Sequence, residues 1–363
     1  MSDNRSYKER ARLNRVRKKR ENKQKGMYIL IGAIVVIVLL VIVGIVLYNY
    51  MNKDSGGSDK EVISDKKVEV TSKTVETEEP VVTATPFAFE ASANADTKKF
   101  SKSVASKYGV VIDVDNGKIV AQKGSKKMIY PASMTKVMTV LVAAEHISQE
   151  QLSDKVKITL DITDYCYSND CSAVGFSKNE KVTVEDLFYG TILPSGADAG
   201  VALATYVAGS HEAFVDMMNE KAKELGIGDT THFTNCVGIY NDKHYSTVYD
   251  MAKIIKAASE NELCMKVLNA RTYTTSKTKK HPKGILVSNW FLRRIEDKNI
   301  NGEILYAKTG FVNQSGSCAV SMATDKEGHP YICVTAGSTS SWQCIYDQVE
   351  LYHTYMKTKK SSN

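Results

Sequence analysis

Residues 27–48, from Met27 to Tyr48, form a run of 22 residues without a single charged side chain, and nothing else in the sequence restricts the chain as strongly. At about 1.5 Å of rise per residue such a run makes a helix about 33 Å long, enough to cross a hydrocarbon core about 30 Å thick. A buried helix of a soluble protein rarely stays apolar on every face for six turns. Residues 1–26 carry eleven Lys or Arg against three acids, Asp3, Glu9 and Glu21. That excess keeps the N-terminus in the cytoplasm and sends everything after Tyr48 outward. The net charge of +7 is therefore concentrated in a tail that reads as an orientation signal beside a membrane, not as a nucleic-acid arm. A cleaved signal peptide would have a shorter apolar region and small residues at a cleavage site, and neither is present.

From Asn49 to Lys99 the chain turns rich in Ser, Thr, Glu, Lys and Val, with Pro80 and Pro86 and no helical or strand period. This reads as a solvated linker, spanning roughly 40 Å root-mean-square as a flexible coil. A folded domain is expected over residues 100–358. Val110–Val114 and Lys118–Ala121 read as strands around an Asp-Asn-Gly turn. Ser317–Ala323 and Tyr331–Ala336 read as a second hairpin around residues 325–328. Helical spacing dominates residues 183–269, with Ser210 placed to cap a helix running to Leu225 and stopping at Gly226, and a last amphipathic helix follows from about Trp342 to Met356. Strands at both ends and helices between them predict an α+β domain whose sheet is assembled from the termini.

Three elements carry chemistry. In Ser133-Met134-Thr135-Lys136, residues three apart share a helix face, so the lysine can reach the serine oxygen and take its proton if burial or a second cation keeps the lysine neutral. The same spacing occurs at Ser64/Lys67 and Ser276/Lys279. Only Ser133 opens an apolar-periodic helix, at an end where free N–H groups favour developing negative charge. The second element, Lys308-Thr309-Gly310, occurs once and can supply that second cation from a strand. The third is Ser195-Gly196-Ala197-Asp198-Ala199 after Pro194, where a hydroxyl could relay a proton. The seven histidines form no triad with a serine. The seven cysteines, an odd number, match no zinc spacing; Cys166 and Cys171 are close enough to bridge a loop, and buried free thiols are the other reading. No metal and no cofactor are expected.

The order Ser-x-x-Lys, Ser-x-Asn-like, Lys-Thr-Gly resembles the penicillin-binding proteins and serine β-lactamases. Within that group the chain is most similar to the D-alanyl-D-alanine carboxypeptidases, through residues 130–136, 182–187 and Phe233-Thr234-Asn235-Cys236-Val237-Gly238. The resemblance covers most of residues 105–355. It implies a β-lactamase/DD-peptidase-like fold, a central antiparallel sheet flanked by helices with a mostly helical subdomain, behind the N-terminal transmembrane helix. Together with the span read above, it makes the expected protein a single-pass one of a bacterial plasma membrane, held through residues 27–48 in place of the C-terminal anchor of some relatives, with its catalytic domain outside. Peptidoglycan stem peptides are the implied substrate, β-lactams covalent inhibitors, and nucleic acid no partner. Carried over, Ser133 is the nucleophile, Lys136 its base and Ser195 a proton relay. Lys308, Thr309 and Gly310 bind substrate, and the N–H groups of Ser133 and Phe311 form the oxyanion hole. Two departures touch substrate recognition. Ala197 stands where the pattern has Asn, and no Arg follows Arg294. A β-lactamase, with Glu180 or Glu185 as deacylating base, and a catalytically weak wall-binding protein are the alternatives.

Overall fold

The computed structural model describes residues 87–356. The expected basic tail, span and most of the linker lie outside these residues; among the described residues no helix is long and apolar enough to cross a membrane. In chain order the domain begins with β1 (Lys98–Lys99), β2 (Tyr108–Asp113), β3 (Lys118–Lys123) and β4 (Met128–Ile129). A 3₁₀ turn, Ala132–Thr135, leads into α1 (Lys136–Glu145), followed by β5 (Lys155–Lys157), α2 (Leu160–Ser168), β6 (Lys181–Thr183), α3 (Val184–Ile192), α4 (Ala197–Ala208) and α5 (His211–Glu224). Next come β7 (Ser246–Thr247), α6 (Val248–Ala258), α7 (Glu262–Asn269), β8 (Thr272–Thr274), β9 (Leu286–Ser288) and α8 (Leu292–Ile295). Three long elements of sheet, β10 (Gly302–Val312), β11 (Gly316–Asp325) and β12 (Pro330–Ser338), precede the last helix, α9 (Ser341–Tyr355).

Six strands form one sheet in the order β1-β3-β2-β12-β11-β10, antiparallel except for the β1–β3 pair. The sheet is indeed assembled from the two ends of the domain. Period-2 alternation assigns its faces. Val110, Ile112, Val320, Met322, Ile332 and Val334 join the core under the helical region, whereas Val111, Ala319, Ala323, Tyr331 and Cys333 join a second core beneath α8 and α9. Helix α1 lies inside the first core with every residue from Lys136 to Ala144 buried, which is why its sequence is apolar all round. The predicted cap is present: Ser210 Oγ accepts the Ala213 N–H at 3.0 Å, and Gly226 adopts φ +66° just past the helix end.

One boundary is corrected. Residues 87–99, expected as linker, pack on the domain. Phe87, Phe89 and Ala91 alternate into the core, and the Tyr249 hydroxyl both accepts from the Ala91 N–H at 2.9 Å and donates to its carbonyl at 3.0 Å. The Lys253 ammonium pairs with Glu90, and Ser92 bridges to Lys118. This short apolar alternation is diluted when composition is read over the whole span 49–99.

Candidate active site

Ser133 sits in the 3₁₀ turn, not at the first turn of an α-helix as expected; α1 begins at Lys136. The geometry still serves, because side chains at i and i+3 of a 3₁₀ turn eclipse. Lys136 Nζ donates to Ser133 Oγ at 3.0 Å and to the Val237 carbonyl at 2.7 Å. The residue before the serine, Ala132, is held at φ +48°, a conformation that costs an L-residue about 1–2 kcal/mol and that the surrounding packing must impose.

The Val237 carbonyl is positioned by Asn235. Its Oδ1 accepts the N–H groups of Val237, Gly238 and Ile239 at 3.2, 2.7 and 3.0 Å, while its Nδ2 donates to the Ile239 carbonyl at 2.9 Å. The neighbouring Cys236 N–H donates to His211 Nε2 at 3.0 Å. Gly238 (φ +83°) lies directly on the nucleophile turn: a Cβ there would fall 1.9 Å from the Ala132 carbonyl oxygen. Sequence reading noted residues 233–238 as a family-like stretch and missed their role, which is carried by backbone groups.

On the sheet side, Lys308 of β10 donates to Ser195 Oγ at 2.9 Å and to the Thr309 carbonyl at 2.7 Å. Ser195 is itself at φ +62°, in a turn held by Gly196 N–H to Gly190 O at 2.9 Å and Ala197 N–H to Ser172 O at 2.8 Å. Gly310 has a use other than the approach of substrate: a Cβ on it would lie 2.9 Å from both the Pro131 oxygen and the Ser133 nitrogen. The glycine lets β10 lie against the nucleophile's own backbone.

Both lysines are almost wholly buried. Desolvation disfavours an ammonium: it brings Lys136 down to about 8, and, with the Lys136 charge adding to it, takes Lys308 well below the usual lysine range. The thiols around Lys136 offset little. Burial pushes Cys166 and Cys236 up to about 12, so at neutral pH they carry no charge.

A cavity of about 930 Å³ is lined by Ser133, Lys136, Ser195, Thr309, Gly310 and Phe311. Lys308 lies beneath it. Thus the side chains expected from sequence are brought together. Ala197 does not line the cavity; it is buried as the first residue of α4. Ser341 is the residue of the 337–341 stretch that does. Glu180 is taken up by Thr278, His281 and the Ser177 N–H, Glu185 pairs with Lys266, and neither reaches the cavity wall. Ser276 is bound to Asp186, which removes it as a rival nucleophile. His244, buried and pushed down to about 3, stays a neutral partner of Thr135. All seven cysteines are free thiols, and no cluster of metal-binding side chains exists among the described residues.

A family model described as D-alanyl-D-alanine carboxypeptidase matches residues 92–340. The chain belongs to this family. The D-alanyl-D-alanine carboxypeptidase DacF of Bacillus subtilis (strain 168) is 39% identical over 173 residues, covering 47% of this chain and 43% of that protein. The D-alanyl-D-alanine carboxypeptidase of Streptomyces sp. (strain K15) is 31% identical over 252 residues, 66% of this chain and 82% of that one. The crystal structure of the Streptomyces K15 DD-transpeptidase superposes with a TM-score of 0.62 at 28% identity, over 70% of this chain and 99% of that one. These matches give the α+β DD-peptidase fold. The chain spans less than half the length of some curated relatives, as with the 43% of DacF.

Proposed function

We propose that this family member is a serine-type D-alanyl-D-alanine carboxypeptidase that removes the terminal D-alanine of peptidoglycan stem peptides through an acyl-enzyme on Ser133. The observation that carries this is the 3.0 Å contact between Ser133 Oγ and a buried Lys136 held near pH 8. A neutral amine there takes the hydroxyl proton as Oγ attacks the carbonyl between the two D-alanines. Ser195, hydrogen-bonded to Lys308, returns a proton to the departing D-alanine amine. The N–H groups of Ser133 and Phe311 face the developing oxyanion. Thr309 and Lys308 hold the substrate's carboxylate end. The open side of β10, at the edge of the sheet, accepts the peptide backbone as an added strand. Water then hydrolyses the ester.

β-Lactams, which carry a strained amide in place of the scissile bond, acylate Ser133 in the same reading. Engagement of Glu180 and Glu185 elsewhere argues against a β-lactamase's rapid deacylation. Residues 27–48 anchor the enzyme in the plasma membrane, as their length, lack of charge and basic flank support. The test is release of free D-alanine from a stem pentapeptide by the full chain, with Ser133→Ala beside it. Release that disappears in the variant is expected. A folded wild-type chain that releases none, while still binding wall material, would transfer the assignment to a binding role.

A further inference from the structure

Helix α2 ends in a motif that brings two thiols together beside the active site. Asp170 adopts φ +52°, its N–H bonds to the Tyr167 carbonyl at 3.4 Å, and the Cys171 N–H bonds to the Cys166 carbonyl at 3.0 Å. This is the six-to-one and five-to-two pairing of a left-handed helix stop, in which the first and last residues of the motif put their side chains in contact. Here those two residues are both cysteine. A disulfide needs Cα atoms about 4.4–6.8 Å apart, and the bond from the Cys171 N–H to the Cys166 carbonyl brings the two backbones together on that scale, so that a small movement of Cys171 closes the bridge. Cys166 is buried, and Cys171 is half-exposed on the cavity wall. Both stand within electrostatic reach of Lys136.

We propose that Cys166 and Cys171 are a modification site, closing to a reversible disulfide by exchange with a small disulfide such as oxidised glutathione, and that closure slows the active site. The Cys171 thiolate attacks one sulfur of the small disulfide, forming a mixed disulfide and releasing one small thiolate. The Cys166 thiolate then attacks the Cys171 sulfur and releases the second. The two cysteine protons end on the two released thiols, and two electrons pass from the pair to the reagent. Cys171 is the attacking sulfur because it faces the cavity, and Cys166 the resolving one because it is enclosed. Burial pushes both thiols up, so exchange accelerates about tenfold per pH unit across the neutral range as the thiolate fraction rises.

The link to catalysis is a short strap. Next to Cys171, the Ser172 carbonyl accepts the Ala197 N–H at 2.8 Å, two residues beyond Ser195. Asp198 holds the following N–H groups of Val174, Gly175 and Phe176 at 2.8, 3.0 and 3.2 Å. Drawing Cys171 toward Cys166 pulls one end of this strap and shifts the turn that presents Ser195 to Lys308. The catalytic half of the inference rests on the activity proposed above; the chemical half does not.

The experiment treats the full chain with oxidised glutathione at pH 8, alkylates the remaining thiols and maps the peptides by mass. The peptide spanning Cys166 and Cys171 is expected to lose two hydrogens and escape alkylation, reversibly with reductant. Cys166→Ser should trap glutathione on Cys171. Labelling of Ser133 by a fluorescent penicillin should slow about fivefold in the bridged chain and recover on reduction. Full alkylation of both cysteines after treatment, or a bridge to Cys236 or Cys318 instead, overturns the inference, as does a bridged chain that labels at the reduced rate. A reduced chain that penicillin never labels counts against the proposed activity, and the mass map still decides the disulfide.

Discussion

The two walls of the cleft hold a lysine each, in nearly the same way. On the helical wall Lys136 donates to a serine hydroxyl at 3.0 Å and a backbone carbonyl at 2.7 Å. On the sheet wall Lys308 does the same at 2.9 and 2.7 Å. What differs is the company. Burial brings Lys136 down to about 8 with the Asp198 carboxylate opposing it, whereas Lys308, buried as deeply, has the Lys136 charge against it as well and is taken well below the usual lysine range. Two ammonium groups this near cannot both persist in so dry a place. The lesson is that matched hydrogen bonds do not imply matched roles: in the proposed function the wall that keeps its lysine exchangeable near neutral pH supplies the base, and the other supplies the relay and the site for the substrate's carboxylate end.

The comparison breaks most directly by removing each amine. Lys136→Met should lower kcat/KM for D-alanine release by about 10⁴-fold and Lys308→Met by about 10²-fold, magnitudes seen for base and relay groups; equal losses would erase the division of labour. The pH profile sharpens it. Because Lys136, the proposed base, sits near 8, kcat/KM should rise about tenfold per pH unit below that value and level off above it, and Lys308→Met should raise that midpoint wherever Lys308 is protonated, since the substitution then removes a charge that repels the Lys136 ammonium. A midpoint unmoved by that substitution would show that Lys308 is neutral throughout.

Gly238→Ala tests how closely the helical wall is fitted. With a Cβ 1.9 Å from the Ala132 oxygen at φ +83°, it should cost about 2–4 kcal/mol of stability by thermal unfolding, more than Gly310→Ala, whose Cβ would lie 2.9 Å from its nearest neighbours. The smallest effect belongs to Ala197→Asn. The Ala197 site is buried and does not line the cavity, so an amide there should change kcat/KM by less than about tenfold. A large gain would mean the α4 turn can rotate to present it.

The side chains of the site were legible because each announces its chemistry in order along the chain: Ser133 with Lys136, then Ser195, then Lys308. The sheet was legible in the alternation of β2, β11 and β12. What escaped is backbone. The Val237 carbonyl that holds Lys136, the left-handed Ala132 and Ser195, and the glycines at 238 and 310 that allow close approach carry no side-chain signal of their own. Asn235 is the one residue there that could have been suspected, as an amide three residues before a glycine. Helix α2 was missed because its sequence Leu160–Ser168 has only two buried positions, too few for a period to stand out. The expected span over 27–48 falls outside the described residues.

The order of the sheet also sets the arrival of the chain apart from the cleft. β1, where the chain arrives, and β10, which carries Lys308, are opposite edges of the same six strands, about 24 Å apart at five spacings of about 4.8 Å. Any pull on the preceding chain is taken up by Lys98–Lys99 against β3 and by the Tyr249 and Lys253 grips on residues 90–91. On the anchored reading proposed above, tension would therefore enter at the sheet edge opposite the one that receives the peptide.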